Sequence, residues 1–183
     1  MIHDDGRYTI FFEELNYISG RGLNAKNYLE DIGIITYDKD GTELIGHYLP
    51  KEQLHNQNFV FKNRGNAAPK TTLSLFSSYF YIKEGQQEYI LFNDEAINRE
   101  KVAKNKKIGP YGVSFGHGEA FIFNLDDDQK IPQPKRLFSE EAKTLASVGE
   151  TVYDPTTKTL ALITYNLHKK SRDKFNIVWL KVD

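Results

Sequence analysis

Short apolar runs closed by polar or acidic residues recur along this chain, the pattern of strands that end in turns. Thr9-Ile10-Phe11-Phe12-Glu13-Glu14, Tyr89-Ile90-Leu91-Phe92-Asn93-Asp94 and Leu162-Ile163-Thr164-Tyr165-Asn166 resemble one another and read as equivalent strands, the second of them preceded by Tyr79-Phe80-Tyr81-Ile82-Lys83-Glu84. Three further segments close alike, on two apolar residues, a polar one, an apolar one and Asp. They are Ile34-Ile35-Thr36-Tyr37-Asp38, Ile122-Phe123-Asn124-Leu125-Asp126 and Trp179-Leu180-Lys181-Val182-Asp183. The last two are apolar at nearly every position, which suits a strand covered on both faces. Gly85 and Asp154-Pro155 sit where a tight turn needs special backbone angles.

Placed in order, these segments make four-stranded antiparallel units cut at both ends. The units are a partial one over residues 7–50, a complete one over 74–138 and a partial one over 150–183. Residues 42–49 and 131–138 supply fourth strands, and Pro132 and Pro134 put the second of these at a sheet edge. The pattern predicts an all-β protein, a β-propeller-like stack of roughly two and a half blades. That is too few to close a ring of the usual ~4–8. A β-sandwich is the alternative, since short strands between turns suit both. Both intervals between the closing Asp residues exceed a typical blade of ~40–45 residues, so the units carry insertions. Only residues 94–100 and 139–145 have the composition for a turn or two of helix.

Composition agrees with a sheet protein. Tyr (11) and Phe (12) are abundant, and 39% of the 183 residues are hydrophobic. There are no cysteines, which excludes disulfides, thiolate metal sites and cysteine nucleophiles. The first residues carry no signal peptide pattern, and no apolar run approaches the ~20 residues of a membrane helix. A formal net charge of −1 argues against a surface built throughout for nucleic acid.

Charge is unevenly spread. In a propeller the loops joining second to third strands, and one unit to the next, emerge on one face. Residues 15–30, 51–73, 94–118 and 166–174 are each net basic, while 139–150 is net acidic. Arg21, Lys26, Arg64, Lys104, Lys106, Lys107, Lys169, Lys170 and Arg172, with Tyr111 as a stacking ring, are the candidate binding residues. Such a face suits an acidic glycan or an acidic protein.

Catalytic chemistry has little support. Gly112-Val113-Ser114-Phe115-Gly116 matches a nucleophile-elbow pattern, but no helix follows to make the strained strand-to-helix turn. Asp38-Lys39-Asp40-Gly41 has its Gly at the wrong place for a calcium loop and reads as turn chemistry. The histidines His3, His47, His55, His117 and His168 show no ligand spacing. No catalytic residue, metal or cofactor is therefore assigned.

Several motifs together resemble a bacterial family of secreted β-propeller-like repeat proteins. They are Asp4-Asp5-Gly6, Tyr37-Asp38-Lys39-Asp40-Gly41, Leu49-Pro50-Lys51-Glu52-Gln53, Phe76-Ser77-Ser78-Tyr79 and Leu91-Phe92-Asn93-Asp94. The resemblance implies blades, export and no assigned catalytic residues. The chain departs from that pattern by lacking an export signal and by starting at a middle strand. It is thus expected to be a C-terminal portion or a shortened relative. The expected function is a non-catalytic binding or scaffold module. A carbohydrate-active hydrolase on the same scaffold and a structural assembly subunit are the alternatives. Open strand edges predict self-association.

Overall fold

A computed structural model describes residues 1–18, 26–55, 76, 78–85, 87–110, 118–125, 133–167 and 175–182. The described chain is all-β, with three antiparallel sheets and one α-helix. Sheet 1 contains β1 (Tyr8–Ile18), β2 (Lys26–Tyr37), β3 (Glu43–Leu49) and β4 (Gln53–His55). Sheet 2 is the meander β5 (Tyr79–Glu84), β6 (Gln87–Asp94), β7 (Glu119–Asn124) and β8 (Lys135–Arg136). Helix α1 (Ala96–Ala103) lies in the connection from β6 to β7. Sheet 3 contains β9 (Thr144–Ala146), β10 (Val152–Asp154), β11 (Thr159–Asn166) and β12 (Phe175–Lys181).

Turn chemistry fixes the strand pairings. Gly85, at φ +58°, makes the short β5–β6 turn that sets Glu84 opposite Gln87. Asp38 Oδ1 accepts from the backbone N–H groups of Asp40 and Thr42, both at 2.9 Å, and Gly41 follows at φ +86°. Asp154 does the same for the β10–β11 turn, accepting from the Thr156 N–H at 3.0 Å and the Thr157 hydroxyl at 2.5 Å. Asp38 therefore has a turn-forming role, while Asp126 and Asp183 lie outside the described residues.

The sheets stack in three layers with sheet 2 in the middle. Strand β6 is buried on both faces, and its side chains divide by period two. Ile90 and Phe92 pack with Ile32, Ile34 and Leu49 of sheet 1, joined by Phe121 and Phe123 of β7. Tyr89 and Leu91 pack with Leu160 and Leu162 of sheet 3, joined by Ile82 and Ala120. Each such Leu, Ile or Phe contributes ~1.5–3 kcal/mol by leaving water. The near-continuous apolar reading of this segment is explained by the double burial.

Three details differ from the sequence reading. Sheet 3 begins at β9, before residue 150, because Thr144, Leu145 and Ala146 pair with Asn166, Tyr165 and Thr164. Residues 139–145 accordingly divide into a 3-10 turn over Glu140–Ala142 and that strand. Sheet 1 also stacks on sheet 2 one strand out of step with the sequence repeat, Ile32 and Ile34 of β2 lying on Ile90 and Phe92 of β6. Its first strand lies over β5, where the Phe11 ring stands 4.8 Å from Tyr81 and 6.4 Å from Tyr79, centroid to centroid. The repeat had placed β1 as an equivalent of β6.

Two strands are broken by bulges. β3 and β4 both pair with β2, on either side of Pro50-Lys51-Glu52. β9 and β10 both pair with β11, on either side of residues 147–151. Each interruption turns one long strand into two and re-aims the intervening side chains.

The double burial of β6 makes a quantitative prediction. Phe92→Ala should lower stability by about 3–5 kcal/mol. Ile97→Ala, on the exposed side of α1, should change it by no more than ~0.5 kcal/mol. Urea unfolding of the two variants checks this, and equal losses would contradict the layering.

Candidate functional site: a basic tip braced by a buried polar seam

Past Phe92, strand β6 ends in two buried polar residues, Asn93 and Asp94, which alternate to opposite sides of sheet 2. Asn93 faces sheet 3. Its Oδ1 accepts from the Ala146 N–H at 2.9 Å, and its Nδ2 donates to the carbonyls of Ala146 at 2.7 Å and Phe76 at 2.9 Å. Its own carbonyl accepts from Gln53 Nε2 of sheet 1 at 2.8 Å. Gln53 Oε1 in turn accepts from the Ser78 N–H at 2.6 Å and from Lys51 Nζ at 3.1 Å.

Lys51 projects inward from the bulge between β3 and β4, and none of its surface is exposed to solvent. It forms an ion pair with Glu13 of β1, whose other oxygen accepts from the Ser78 hydroxyl at 2.8 Å. The Lys51 N–H is held by Asp31 Oδ1 at 3.1 Å. Burial pushes the Lys51 ammonium below its ordinary range, and the Glu13 carboxylate opposes that push. Glu13, Lys51, Gln53, Asn93 and Ala146 thus form one polar path through all three sheets. Glu119 adds a second tie, pairing at 2.5 Å with both Arg136 and Lys143.

Asp94 points toward sheet 1 and organises α1. Its Oδ1 accepts from the Glu95 N–H at 2.7 Å and from Asn98 Nδ2 at 2.8 Å, placing a carboxylate at the positive end of the helix. Arg99 pairs with Asp94, donates to the Pro50 carbonyl and lies 5.4 Å from the Phe92 ring centre. Burial pushes the Asp94 carboxyl above its ordinary range, against the pull of Arg99. Asn98 then clasps Gly109 from both sides, donating to its carbonyl at 2.8 Å and accepting its N–H at 3.1 Å.

The end of α1 is equally well defined. Asn105, at φ +52°, is left-handed. Its N–H bonds to the Val102 carbonyl at 2.9 Å, and the Lys106 N–H bonds to the Lys101 carbonyl at 2.8 Å. These are the paired bonds of a Schellman closure. Lys104, Lys106 and Lys107 project from this closed turn into solvent. Lys101 stands in the last helical turn, where a cation suits the helix dipole.

Of the sequence candidates, the structure brings Lys104, Lys106 and Lys107 together. Lys26 opens β2. Arg21, Arg64, Tyr111, Lys169, Lys170 and Arg172 lie outside the described residues, as do Ser114 and His117. Two cations counted toward the basic face do not belong to it. Lys51 and Arg99 are buried and neutralised by Glu13 and Asp94. Sequence reasoning missed this seam. Its one visible signal was an Asn-Asp pair closing a run apolar on both faces.

A cleft of about 500 Å³ opens where sheets 1 and 2 meet, away from α1. His3, His47, Glu88 and Lys83 line it above Ile34 and Leu125. His3 Nδ1 lies 3.4 Å from Glu88 Oε1, and its Nε2 is 2.8 Å from the Thr9 hydroxyl. Among the described residues, no group of three or more His, Asp or Glu side chains is placed to hold a metal ion. No helix among them is long and apolar enough to cross a membrane.

No family model, curated protein or solved structure matches this chain.

The Glu13–Lys51 pair gives a sharp test. Lys51→Met should destabilise the fold by about 3–5 kcal/mol, because it leaves a carboxylate buried without its partner. Adding Glu13→Leu should recover most of that loss. Denaturant titration of the single and double variants measures both, and a double variant as weak as the single would contradict the pairing.

Proposed function

We propose that this chain is a non-catalytic binding module on a propeller-like stack, which holds an acidic glycan at the tip beyond α1. The observation that carries this reading is the bracing of Lys104, Lys106 and Lys107. Three exposed ammonium groups stand within four residues on a turn closed by its own backbone, and Asn98 clasps Gly109 just beyond it. Flexible surface lysines lose entropy when a ligand fixes them, and a prefixed turn reduces that loss. The tip carries three positive charges in four residues, a density that the sequence repeats at Lys169, Lys170 and Arg172, while the chain as a whole is near neutral.

The propeller-like part of the reading draws on the stacked sheets and on the meander order of sheet 2. The resemblance of several sequence motifs to those of secreted bacterial repeat proteins adds to it and favours an exported setting. An acidic glycan is the partner chemistry that best suits both a fixed cluster of lysines and that setting.

Replacing Lys104, Lys106 and Lys107 together by Ala should weaken retention on immobilised heparin by about 3- to 150-fold, since each exposed ion pair contributes ~0.2–1 kcal/mol. The variant should keep the unfolding midpoint of the parent, because none of the three side chains is buried. Elution at unchanged salt would remove the tip from the proposal.

A further inference from the structure

Sheets 1 and 3 each turn one face toward sheet 2 and one face outward, and both outward faces are apolar. On sheet 3 the outward rows are Val152–Ala161–Trp179 and Ile163–Ile177, with Phe175 beyond them. Val152, Phe175, Ile177 and Trp179 are all more than half exposed, Trp179 at 69%. On sheet 1, Ile10 and Phe12 stand outward, with the Phe12 ring lying over Gly33, where any Cβ would collide with it. Tyr48 stands outward beside them, 59% exposed. The inward neighbours on the same strands, such as Ile34 and Leu162, are almost fully buried. Alternation on these strands is therefore apolar on both sides, the pattern of a sheet meant to be covered twice.

We infer that a second copy of this chain covers both faces, sheet 3 of each copy packing on sheet 1 of the other to close a six-sheet ring. This inference rests on the propeller-like reading above. Six sheets fall within the ~4–8 that closed propellers use.

Area decides between a closed pair and an open chain of copies. Three strands at ~4.8 Å spacing, eight or so residues long at ~3.3 Å each, offer about 400 Å² per face. One contact would bury roughly 800 Å² in total, which is below the ~1,200 Å² of a stable interface. Two contacts made together would bury about 1,600 Å², the usual size for a specific pair. A twofold pairing makes both at once, and its contacts satisfy each other without leaving a sticky end. Charge agrees at one end of the stack. Lys181 follows Trp179 on the outward face of sheet 3. Glu43, whose Oε1 lies 3.4 Å from the Cβ position of Gly46, stands on the outward face of sheet 1. The same twofold axis would set both lysine tips on one side of the ring.

Trp179 is the single tryptophan of the chain, so its fluorescence reports this face directly. Light scattering on the full chain should show a species of twice the 21.1 kDa chain mass. Acrylamide access to Trp179 should fall as that species forms with rising concentration. Trp179→Asp and Ile10→Asp, on opposite faces, should each give a folded monomer by circular dichroism. Ile97→Asp, on α1, should leave the pair intact. A monomer persisting to ~100 µM would overturn the inference, whether Trp179 is quenched or shielded there, because such a chain lacks the ~1,200 Å² contact the inference requires. Open-ended growth of mass would also overturn it, and so would mass doubling with Trp179 still fully accessible, since strand-edge pairing leaves the face bare. Heparin retention by the lysine tip is read separately and does not depend on any of these results.

Discussion

The central strand of the middle sheet, β6, is buried on both faces, and the rest of the described structure answers to that constraint. A strand such as β6 must satisfy apolar side chains in two directions and still account for the polar groups at its end. Ile90 and Phe92 settle one direction, Tyr89 and Leu91 the other. Asn93 then does with hydrogen bonds what the apolar residues do by burial. One amide side chain bonds both backbone groups of Ala146 in sheet 3, while the Asn93 carbonyl receives Gln53 from sheet 1. Unpaired, such groups would each cost ~1–3 kcal/mol.

That seam requires side chains to arrive from strands that would otherwise point them elsewhere, and the bulges supply the means. The break at Pro50-Lys51-Glu52 turns Lys51 inward and brings Gln53 to the middle sheet. The break at residues 147–151 sets Ala146 against Asn93 and returns the chain to pair as β10. A buried lysine is costly alone, and here it is tolerated because Glu13, Gln53 and the Leu29 carbonyl surround its amine. The same region controls the tip. Asp94 holds Arg99 and Asn98, and Asn98 holds the segment that follows the lysines. Core and candidate site are therefore continuous in both sequence and space.

The β class and most strand pairings were legible because recurring short apolar runs and turn residues are local signals. Gly85, Asp38 and Asp154-Pro155 marked turns that the structure contains. Strand β9 was not legible, since Thr144-Leu145-Ala146 is too short to show a period and follows an acidic stretch resembling a helix start. The stacking of β1 over β5, and of β2 over β6, was hidden as well, because a repeat in sequence says nothing about which strand lies over which. The basic tip was visible as a cluster of lysines, but its bracing was not. The roles of Lys51 and Arg99 were misread for a physical reason. Charge counted along a chain assumes solvent, and these two cations had found carboxylates inside. The outward apolar faces went unread for a related reason, as a run apolar at nearly every position does not say which side its own chain leaves uncovered.

The central claim is that sheet 2 holds the molecule together and the outer sheets depend on it. Native-state hydrogen exchange on amides of Ile90, Leu91 and Phe92 tests this most directly. These amides should exchange only through global unfolding, with protection equal to the full stability. Amides of β12, at the edge of sheet 3, should exchange sooner by local opening. Exchange of the β6 amides at the rate of β12, or their release while sheets 1 and 3 stay protected, would contradict the account.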